Sequence, residues 1–405
     1  MNNNNIVNSV RLPWISLFSL KFYILFIFVS LLGNFIIDFN SIEFLTWGMI
    51  IIYVTNFCIG TTIGYVYVPK ISMKKIRLSP IFVLKILFGL SLPSVILGWY
   101  YMINHYGSID YIIQYAMTIR NETIGDGEQI IPTIVSYLSS FLFTGLAVSL
   151  SLHYHTKQKK MIYFIIFFLI FIVLEDLLSF GRIGMLFAIF MLISYILLFK
   201  IKVKYGKITI SSIIIYCFFM LPRYIRGGGS IEGISDNYAP YLKIGIPVLF
   251  SSLISIYCYY FSGLYAFNEL VLHFEGQFAL GTRNFASLIN LANRLFPLGL
   301  ENRISIIADF VSVPFETNIY TVLGELYMDF GLLGIFFFPI LFGLSIGFFF
   351  QYKGVFSDAL KLVFIVWIFY TPIYNMFSFG AFLLAYITLA FLVLFADEKN
   401  INSYR

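Results

Sequence analysis

The sequence predicts an all-α polytopic membrane protein, and three observations lead to this class. The chain has 405 residues, of which 60% are hydrophobic and only 11% are charged. Its apolar residues fall in windows of about 20, the length that a helix needs to cross a bilayer. Lysines gather in alternate connections between these windows, as expected when they mark one side of a membrane. The three scattered cysteines indicate no disulfide framework.

About ten transmembrane helices are predicted, one for each apolar window. The windows are 14–37, 42–66, 80–103, 131–152, 161–179, 183–199, 208–224, 330–350, 359–375 and 378–395. The first window is long enough to span and lacks a small-residue cleavage site, so we expect an uncleaved helix. A further run, 244–261, would reverse the topology if it crossed, because no other span follows before Gly331. We therefore expect it to be an interfacial or re-entrant helix.

The lysine clusters orient these helices. They fall at 70–75, 157–160 and 200–207, and Lys353 follows on the same side. By the positive-inside rule that side is cytoplasmic, together with both termini, which predicts a protein of the cytoplasmic (inner) membrane. The chain is predicted to divide into three regions. Residues 1–224 form helices 1–7, with a small outer loop at 104–129. Residues 225–329 form a large outer loop with interfacial helices, and residues 330–405 form helices 8–10 with a cytoplasmic tail.

Arginine and lysine are distributed differently between the two sides. Lys243 is the lone lysine on the outer side, whereas the outer arginines are Arg120, Arg182, Arg223, Arg226, Arg283, Arg294 and Arg303. The positive-inside bias alone would have removed arginine as well. The planar guanidinium binds phosphate or carboxylate through two parallel hydrogen bonds and stays charged when partly desolvated. The outer face is therefore predicted to bind a phosphorylated or strongly acidic ligand.

The position of the charges favours an outward-facing enzyme over a transporter, because almost no ionisable residue falls near the centre of a span. The sequence has no P-loop, no dinucleotide fingerprint, no HExxH pair and no EF-hand pattern, so we predict no cofactor, no metal and no nucleic-acid partner. Without a nucleotide site, such an enzyme needs a substrate that arrives already activated. A polyprenyl diphosphate-linked sugar meets this need, because diphosphate is a good leaving group.

Several stretches carry a resemblance to a known family. Glu325 and Asp329 lie one helical turn apart in NIYTVLGELYMDFGLLG (318–334), directly against an apolar run. The other stretches are YAMTIRNE (115–122), SFGRIGML (179–186), YYFSGLYAFNELV (259–271) and GTRNFASL (281–288). Together they resemble the Wzy-type O-antigen polymerases, which are oligosaccharide repeat-unit polymerases.

The resemblance implies a GT-C-like membrane glycosyltransferase. Such an enzyme transfers the growing glycan from undecaprenyl diphosphate to a new undecaprenyl diphosphate-linked repeat unit on the outer face of the membrane. Its expected partners are these lipid-linked oligosaccharides, membrane lipids and a separate chain-length regulator protein. O-antigen and capsule are equal candidates for the product.

The reaction needs a clamp for diphosphate, a base for the acceptor hydroxyl and contacts for the sugars. For the clamp we favour Arg182, Arg223, Arg226 and Arg283, with Arg120 and Arg294 as second choices. The candidate bases are His273, Glu275 and Asp236. The candidates for contacting the glycan or orienting the clamp are Tyr320, Glu325 and Asp329.

Simpler roles compete with these assignments. Arg182 has possible ion-pair partners in Glu175 and Asp176. Tyrosines gather at membrane interfaces, and Asp329 is placed to cap the next helix. At the level of the whole protein, an O-antigen ligase would share the topology and the arginine clamp. A flippase for lipid-linked oligosaccharides would also bind diphosphate, but it needs cationic groups in a central cavity.

Overall fold

The computed structural model describes residues 13–71, 76–124, 130–204, 239–243, 248–296 and 310–398, with isolated positions between 206 and 245. The described chain is mainly α-helical, as predicted. The first helices are α1 Trp14–Leu32, α2 Phe44–Val66, α3 Pro80–Tyr106, α4 Ile109–Gln114, α5 Ala116–Ile124, α6 Thr133–Leu138, α7 Ser140–Thr156, α8 Lys160–Leu178 and α9 Ile183–Leu198. They are followed by α10 Val248–Phe261, α11 Gly263–His273, α12 Ala286–Leu295, α13 Thr321–Phe330, α14 Leu332–Phe350, α15 Val355–Tyr370 and α16 Gly380–Phe395.

Six helical segments are long and apolar enough to cross a membrane, within the part of the chain that the structure describes. They are Trp14–Phe35, Phe44–Val66, Pro80–Tyr106, Thr133–Thr156, Lys160–Leu178 and Leu332–Phe350. Three more predicted windows form the shorter helices α9, α15 and α16, each of 16 residues. The window 208–224 falls largely outside the described residues. The all-α membrane class is therefore supported, while the count of ten spans stays a prediction.

Helices α2 and α14 are in direct backbone contact. A Cβ atom added at Gly60 would lie 2.3 Å from the carbonyl oxygen of Ile340, and one added at Gly347 would lie 2.2 Å from that of Thr61. Small residues allow this close approach between helices in a membrane, where van der Waals packing drives association. Asn56 adds a polar contact, because its Nδ2 donates to the carbonyl oxygen of Phe336 over 2.9 Å.

Helix α15 is the central helix of the bundle, because nearly all of its side chains are buried. It packs between α7, α9 and α16, with α14 alongside. A helix that is buried on all sides has to be apolar all round, and its middle turns are. Its charged residues are confined to its first turns, where the buried Lys361 donates to Asp358 over 2.9 Å and to the carbonyl oxygen of Tyr352 over 2.8 Å.

The predicted interfacial run forms α10, which lies across one end of the bundle. The Tyr257 hydroxyl donates to the carbonyl oxygen of Ser30 over 2.9 Å, at the end of α1. The Tyr260 hydroxyl donates to the carbonyl oxygen of Phe369 over 2.6 Å, at the end of α15. The lysine pattern predicts that this end faces outward, and we call it the outer end. Helices α11 and α12 lie at the same end, where α11 packs against α13 and α12 against α16.

In the described part of the chain, four short strands that the sequence pattern does not predict supplement the helices. Strands β1 Ile76–Leu78 and β4 Ala396–Glu398 form a parallel pair that joins the segment after α2 to the segment after α16. Strands β2 Val311–Val313 and β3 Phe315–Thr317 form an antiparallel hairpin before α13. Each strand has three residues, which is too short for an alternating pattern to be recognised in the sequence.

Candidate functional site

The candidate site is a buried polar network at the outer end of the bundle. It joins α13, the turn at 279–285 and the segment 371–379 that connects α15 to α16. We call Arg283, Asn284, Glu325, Asp329 and Asn375 the carboxylate network. Buried polar groups are costly unless they are hydrogen-bonded, so a network of this size at an otherwise apolar helix end needs explanation.

Asp329 holds the turn that carries Arg283. Its side chain is 0% exposed, and its Oδ1 accepts a hydrogen bond of 3.2 Å from the backbone N–H of Arg283. Its Oδ2 accepts two hydrogen bonds from Asn284, one of 2.8 Å from the backbone and one of 2.6 Å from the side chain. The turn needs this support because Leu280 and Gly281 both have positive φ angles. Asp329 therefore serves as an anchor, with both oxygens occupied.

The two asparagines tie three separate segments together. Nδ2 of Asn375 donates to Oδ1 of Asn284 over 2.7 Å, and Nδ2 of Asn284 donates to the carbonyl oxygen of Glu325 over 3.0 Å. The backbone N–H of Asn375 donates to Oε2 of Glu325 over 2.8 Å. Each asparagine uses both its acceptor and its donors. These bonds hold the Asp329 carboxylate through both oxygens, whereas the Glu325 carboxylate accepts one bond from the described residues, at Oε2.

Arg283 has unsatisfied donors inside this network. Within the described part of the chain, its Nε and Nη2 atoms are buried and have no hydrogen-bond partner. These two nitrogens lie on the same edge of the guanidinium, and such an edge forms two parallel hydrogen bonds with a carboxylate or a phosphate. Leaving charged donors unpaired costs free energy, which a ligand with paired oxygens would recover.

Glu325 is the second carboxylate of the network and is only 7% exposed. Burial is the largest cause that raises the pKa of Glu325, to about 8; the nearby Asp329 adds to the rise, and the Asn375 N–H and the charge of Arg283 oppose it. Near neutral pH such a group changes its protonation state readily. A carboxyl group with this property in a polar cluster is a candidate for proton transfer.

A second group of outer-end residues lies beside the network. The Arg182 guanidinium stands over the ring of Tyr259, 4.7 Å from the centroid. Nη1 of Arg120 donates to the carbonyl oxygen of Phe180 over 3.2 Å. Burial, followed by the charge of Arg182, lowers the pKa of Arg120, so the two guanidinium groups lie close together. Two neighbouring cations favour an anion between them.

Tyr374 links this arginine pair to the carboxylate network, because its phenol interacts electrostatically with Tyr259, Glu325 and Arg182. Asp176 stabilises the backbone next to Arg182. Its carboxylate accepts the backbone N–H groups of Gly184 over 3.0 Å and of Met185 over 2.5 Å, so it caps the first turn of α9 just after Arg182. The polar groups of the site therefore come from six segments of the chain and form one polar surface at the outer end.

The structure brings five of the predicted site residues into this region: Arg120, Arg182, Arg283, Glu325 and Asp329. Arg223, Arg226 and Asp236 lie outside the described residues. Arg294 lies in α12, but its side chain is outside the description. Arg182 interacts electrostatically with Asp176, one of the two acids named as its possible ion-pair partners.

Three other predicted site residues lie outside the carboxylate network. His273 is 75% exposed at the end of α11, where its Nε2 lies 3.5 Å from Oε2 of Glu269. Glu275 is exposed in the following loop. Neither side chain is in the kind of enclosed environment that tunes a catalytic base. Tyr320 is 5% exposed within an apolar cluster, so its ring offers little surface on which a sugar can stack.

Sequence reasoning missed Asn284, Asn375, Tyr259 and Tyr374. Asn284 and Tyr259 stand in stretches that carried the family resemblance, GTRNFASL and YYFSGLYAFNELV. Asn375 and Tyr374 interrupt two apolar runs, and a polar residue at that position is a usable signal. All four residues are neutral, so the distribution of charged residues did not indicate them.

The Asp329 anchor leads to a test of the turn. We expect Asp329→Asn to destabilise the protein by about 1–3 kcal/mol, because an amide must place an NH2 group against an N–H donor whichever way it is oriented. The measurement is thermal unfolding of the purified protein in detergent. Asp110→Asn is the control, since Asp110 is exposed in the first turn of α4. Equal unfolding temperatures for Asp329→Asn and the wild type would contradict the anchoring role.

A cavity of about 210 Å³ adjoins the network. Asn284 and Asn375 line its polar side, and Phe342, Phe364 and Phe377 line its apolar side. Among the described residues, no group of three or more His, Cys, Asp or Glu side chains is arranged to hold a metal ion.

Comparison of the chain with protein-family models, curated proteins and solved structures found no match.

Proposed function

We propose that this protein is a membrane glycosyltransferase that polymerises lipid-linked oligosaccharide repeat units. It transfers the growing glycan from undecaprenyl diphosphate to a new undecaprenyl diphosphate-linked repeat unit, on the outer face of the cytoplasmic membrane. The product is an O-antigen or a capsule, and a separate chain-length regulator is the expected protein partner. The resemblance of its motifs to the Wzy-type O-antigen polymerases supports this reading.

The observation that carries the proposal is the unpaired edge of Arg283. A diphosphate offers the paired oxygens that Nε and Nη2 require, and the bond to the sugar gives the diphosphate more negative charge as it breaks. Arg120 and Arg182 supply further positive charge on the same polar surface. Arginine suits this task because it stays protonated in a partly dehydrated site.

The distribution of buried charge favours an enzyme over a flippase. Within the described residues, the charged side chains that are buried are Asp176, Glu325 and Asp329 at the outer end and Lys361 at the other end. A flippase has to hold the diphosphate inside the bundle during transport, which calls for cationic groups there. In the described part of the chain, the buried charges lie instead towards the two ends of the bundle, with the carboxylates at the outer end.

The experiment that tests the proposal is a gel of surface glycan from cells with and without the gene, with a plasmid copy as the control. We expect the ladder of the wild type to collapse to core plus a single repeat unit in the deletion strain, and to return with the plasmid. Intact polymer retained on its lipid carrier would instead identify a ligase. Unpolymerised units trapped on the cytoplasmic side would identify a flippase.

A further inference from the structure

We propose that Glu325 is the catalytic base that takes the proton from the acceptor hydroxyl. This inference rests on the proposed function and assigns one step of it to a residue. It replaces the expectation that His273, Glu275 or Asp236 has this role. The two carboxylates of α13, Glu325 and Asp329, stand one helical turn apart but have different surroundings.

The two carboxylates differ in the hydrogen bonds that they already make. Asp329 accepts three N–H donors through both of its oxygens, so it has little capacity left for a substrate. Glu325 accepts one N–H, from Asn375, at Oε2. Its Oε1 accepts no hydrogen bond from the residues that the structure describes, and this oxygen is therefore the one that can receive a hydroxyl proton.

The surroundings of Glu325 fix its position and tune its charge. The Asn375 N–H and the contacts of Asn284 hold α13 against the neighbouring segments, which limits the rotation of the side chain. The charged and titratable groups that act on it are Arg283 and Asp329 from the network and Tyr374 from the segment after α15. Arg283 favours the ionised carboxylate and Asp329 opposes it.

The juxtaposition of Glu325 with Arg283 suits a displacement at the anomeric carbon. The acceptor O–H bond breaks and its proton moves to Oε1 of Glu325, while the oxygen forms a bond to the anomeric carbon of the donor glycan. The bond from that carbon to the diphosphate oxygen breaks, and its electron pair stays on the diphosphate. Undecaprenyl diphosphate leaves with one more negative charge, which Arg283 stabilises. Atoms and charge balance without any further reactant.

The test compares Glu325→Gln with the wild type and with Glu316→Gln, a control in which the acid is exposed in β3. Purified full-length protein in nanodiscs is given lipid-linked repeat units extracted from the deletion strain, and the initial rate of polymer formation is measured from about pH 6 to about pH 9. Binding of undecaprenyl diphosphate is measured separately by native mass spectrometry. Glutamine keeps the acceptor for the Asn375 N–H, so the network stays intact.

We expect Glu325→Gln to lower the rate about 100-fold or more while leaving the binding of undecaprenyl diphosphate unchanged. The wild-type rate should rise with pH and reach half of its maximum near the pKa of about 8, because only the ionised carboxylate accepts a proton. The residual rate of Glu325→Gln should not follow this profile. A purely structural role would lower binding and rate together and leave the shape of the profile unchanged.

A stability measurement separates loss of the base from loss of the fold. The pKa of Glu325 is raised in the folded state, so its contribution to stability is fully present below its ordinary pKa and is lost as the pH rises through about 8. Glutamine has no proton to lose, so at high pH Glu325→Gln should unfold at no lower temperature than the wild type. A normally folded variant that keeps the wild-type rate overturns the inference. A wild-type protein that neither binds undecaprenyl diphosphate nor polymerises overturns the proposed function instead.

Discussion

Replacing Arg283 by lysine is expected to reduce polymer formation by about 100-fold, although the positive charge is kept. Lysine is a point charge without the Nε–Nη2 edge, so it cannot form two parallel hydrogen bonds with diphosphate oxygens. The backbone N–H of Arg283, which donates to Asp329, is unaffected by the exchange. The loss should therefore come from the side chain alone. Its measurement is the length distribution of surface glycan in deletion cells that carry the variant on a plasmid.

Arg77→Lys is the matched control, because Arg77 is an exposed arginine in β1, on the side that the lysine clusters predict to be cytoplasmic. The same chemical change there should leave the glycan ladder intact. Equal protein levels in the membrane, measured by immunoblot, are required for the comparison. If Arg283→Lys gave full-length polymer at normal levels, the two-point contact with diphosphate would be excluded, and a point charge would suffice.

Hydropathy predicted the long helices closely, because a span is selected by length and apolar character alone. The window 42–66 became Phe44–Val66 and the window 80–103 became Pro80–Tyr106. The window 131–152 became the helical segment Thr133–Thr156, which α6 and α7 form together. The contacts of α10 depend on tertiary packing and follow from no local pattern.

The site was predictable where charged residues stand out, either as arginines on the predicted outer side or as acids directly against an apolar run. Glu325 and Asp329 stand directly against an apolar run in the sequence, and both are buried in the structure. Their separate roles were not predictable, because the number of N–H donors around each carboxylate depends on segments distant in sequence. Asn375 is 50 residues from Glu325 along the chain. His273 is a candidate base because histidine as a residue type titrates near neutral pH, but residue type does not reveal that the side chain is exposed.

The close packing of α2 against α14 requires glycine, because glycine has no side chain. Along one face of each helix glycines recur every four residues, as Gly60 and Gly64 in α2 and as Gly343 and Gly347 in α14. An added Cβ atom at Gly64 would lie 2.2 Å from the carbonyl oxygen of Leu344, which is backbone and cannot rotate away. Helix α14 follows α13 directly, so the distance between α2 and α14 also affects where Glu325 is held.

Replacing Gly347 by leucine should therefore destabilise the protein by about 3 kcal/mol or more, because the two helices must separate to accept the side chain. Gly89→Leu is the matched control: Gly89 lies in the long apolar helix α3, and an added Cβ atom there meets nothing within 4 Å. Size-exclusion chromatography of fluorescent fusions in detergent gives the monodisperse fraction, and heating before the run gives the apparent melting temperature. We expect Gly347→Leu to lose most of its monodisperse peak and Gly89→Leu to keep it. Equal behaviour of the two variants would mean that α2 and α14 do not touch through their backbones.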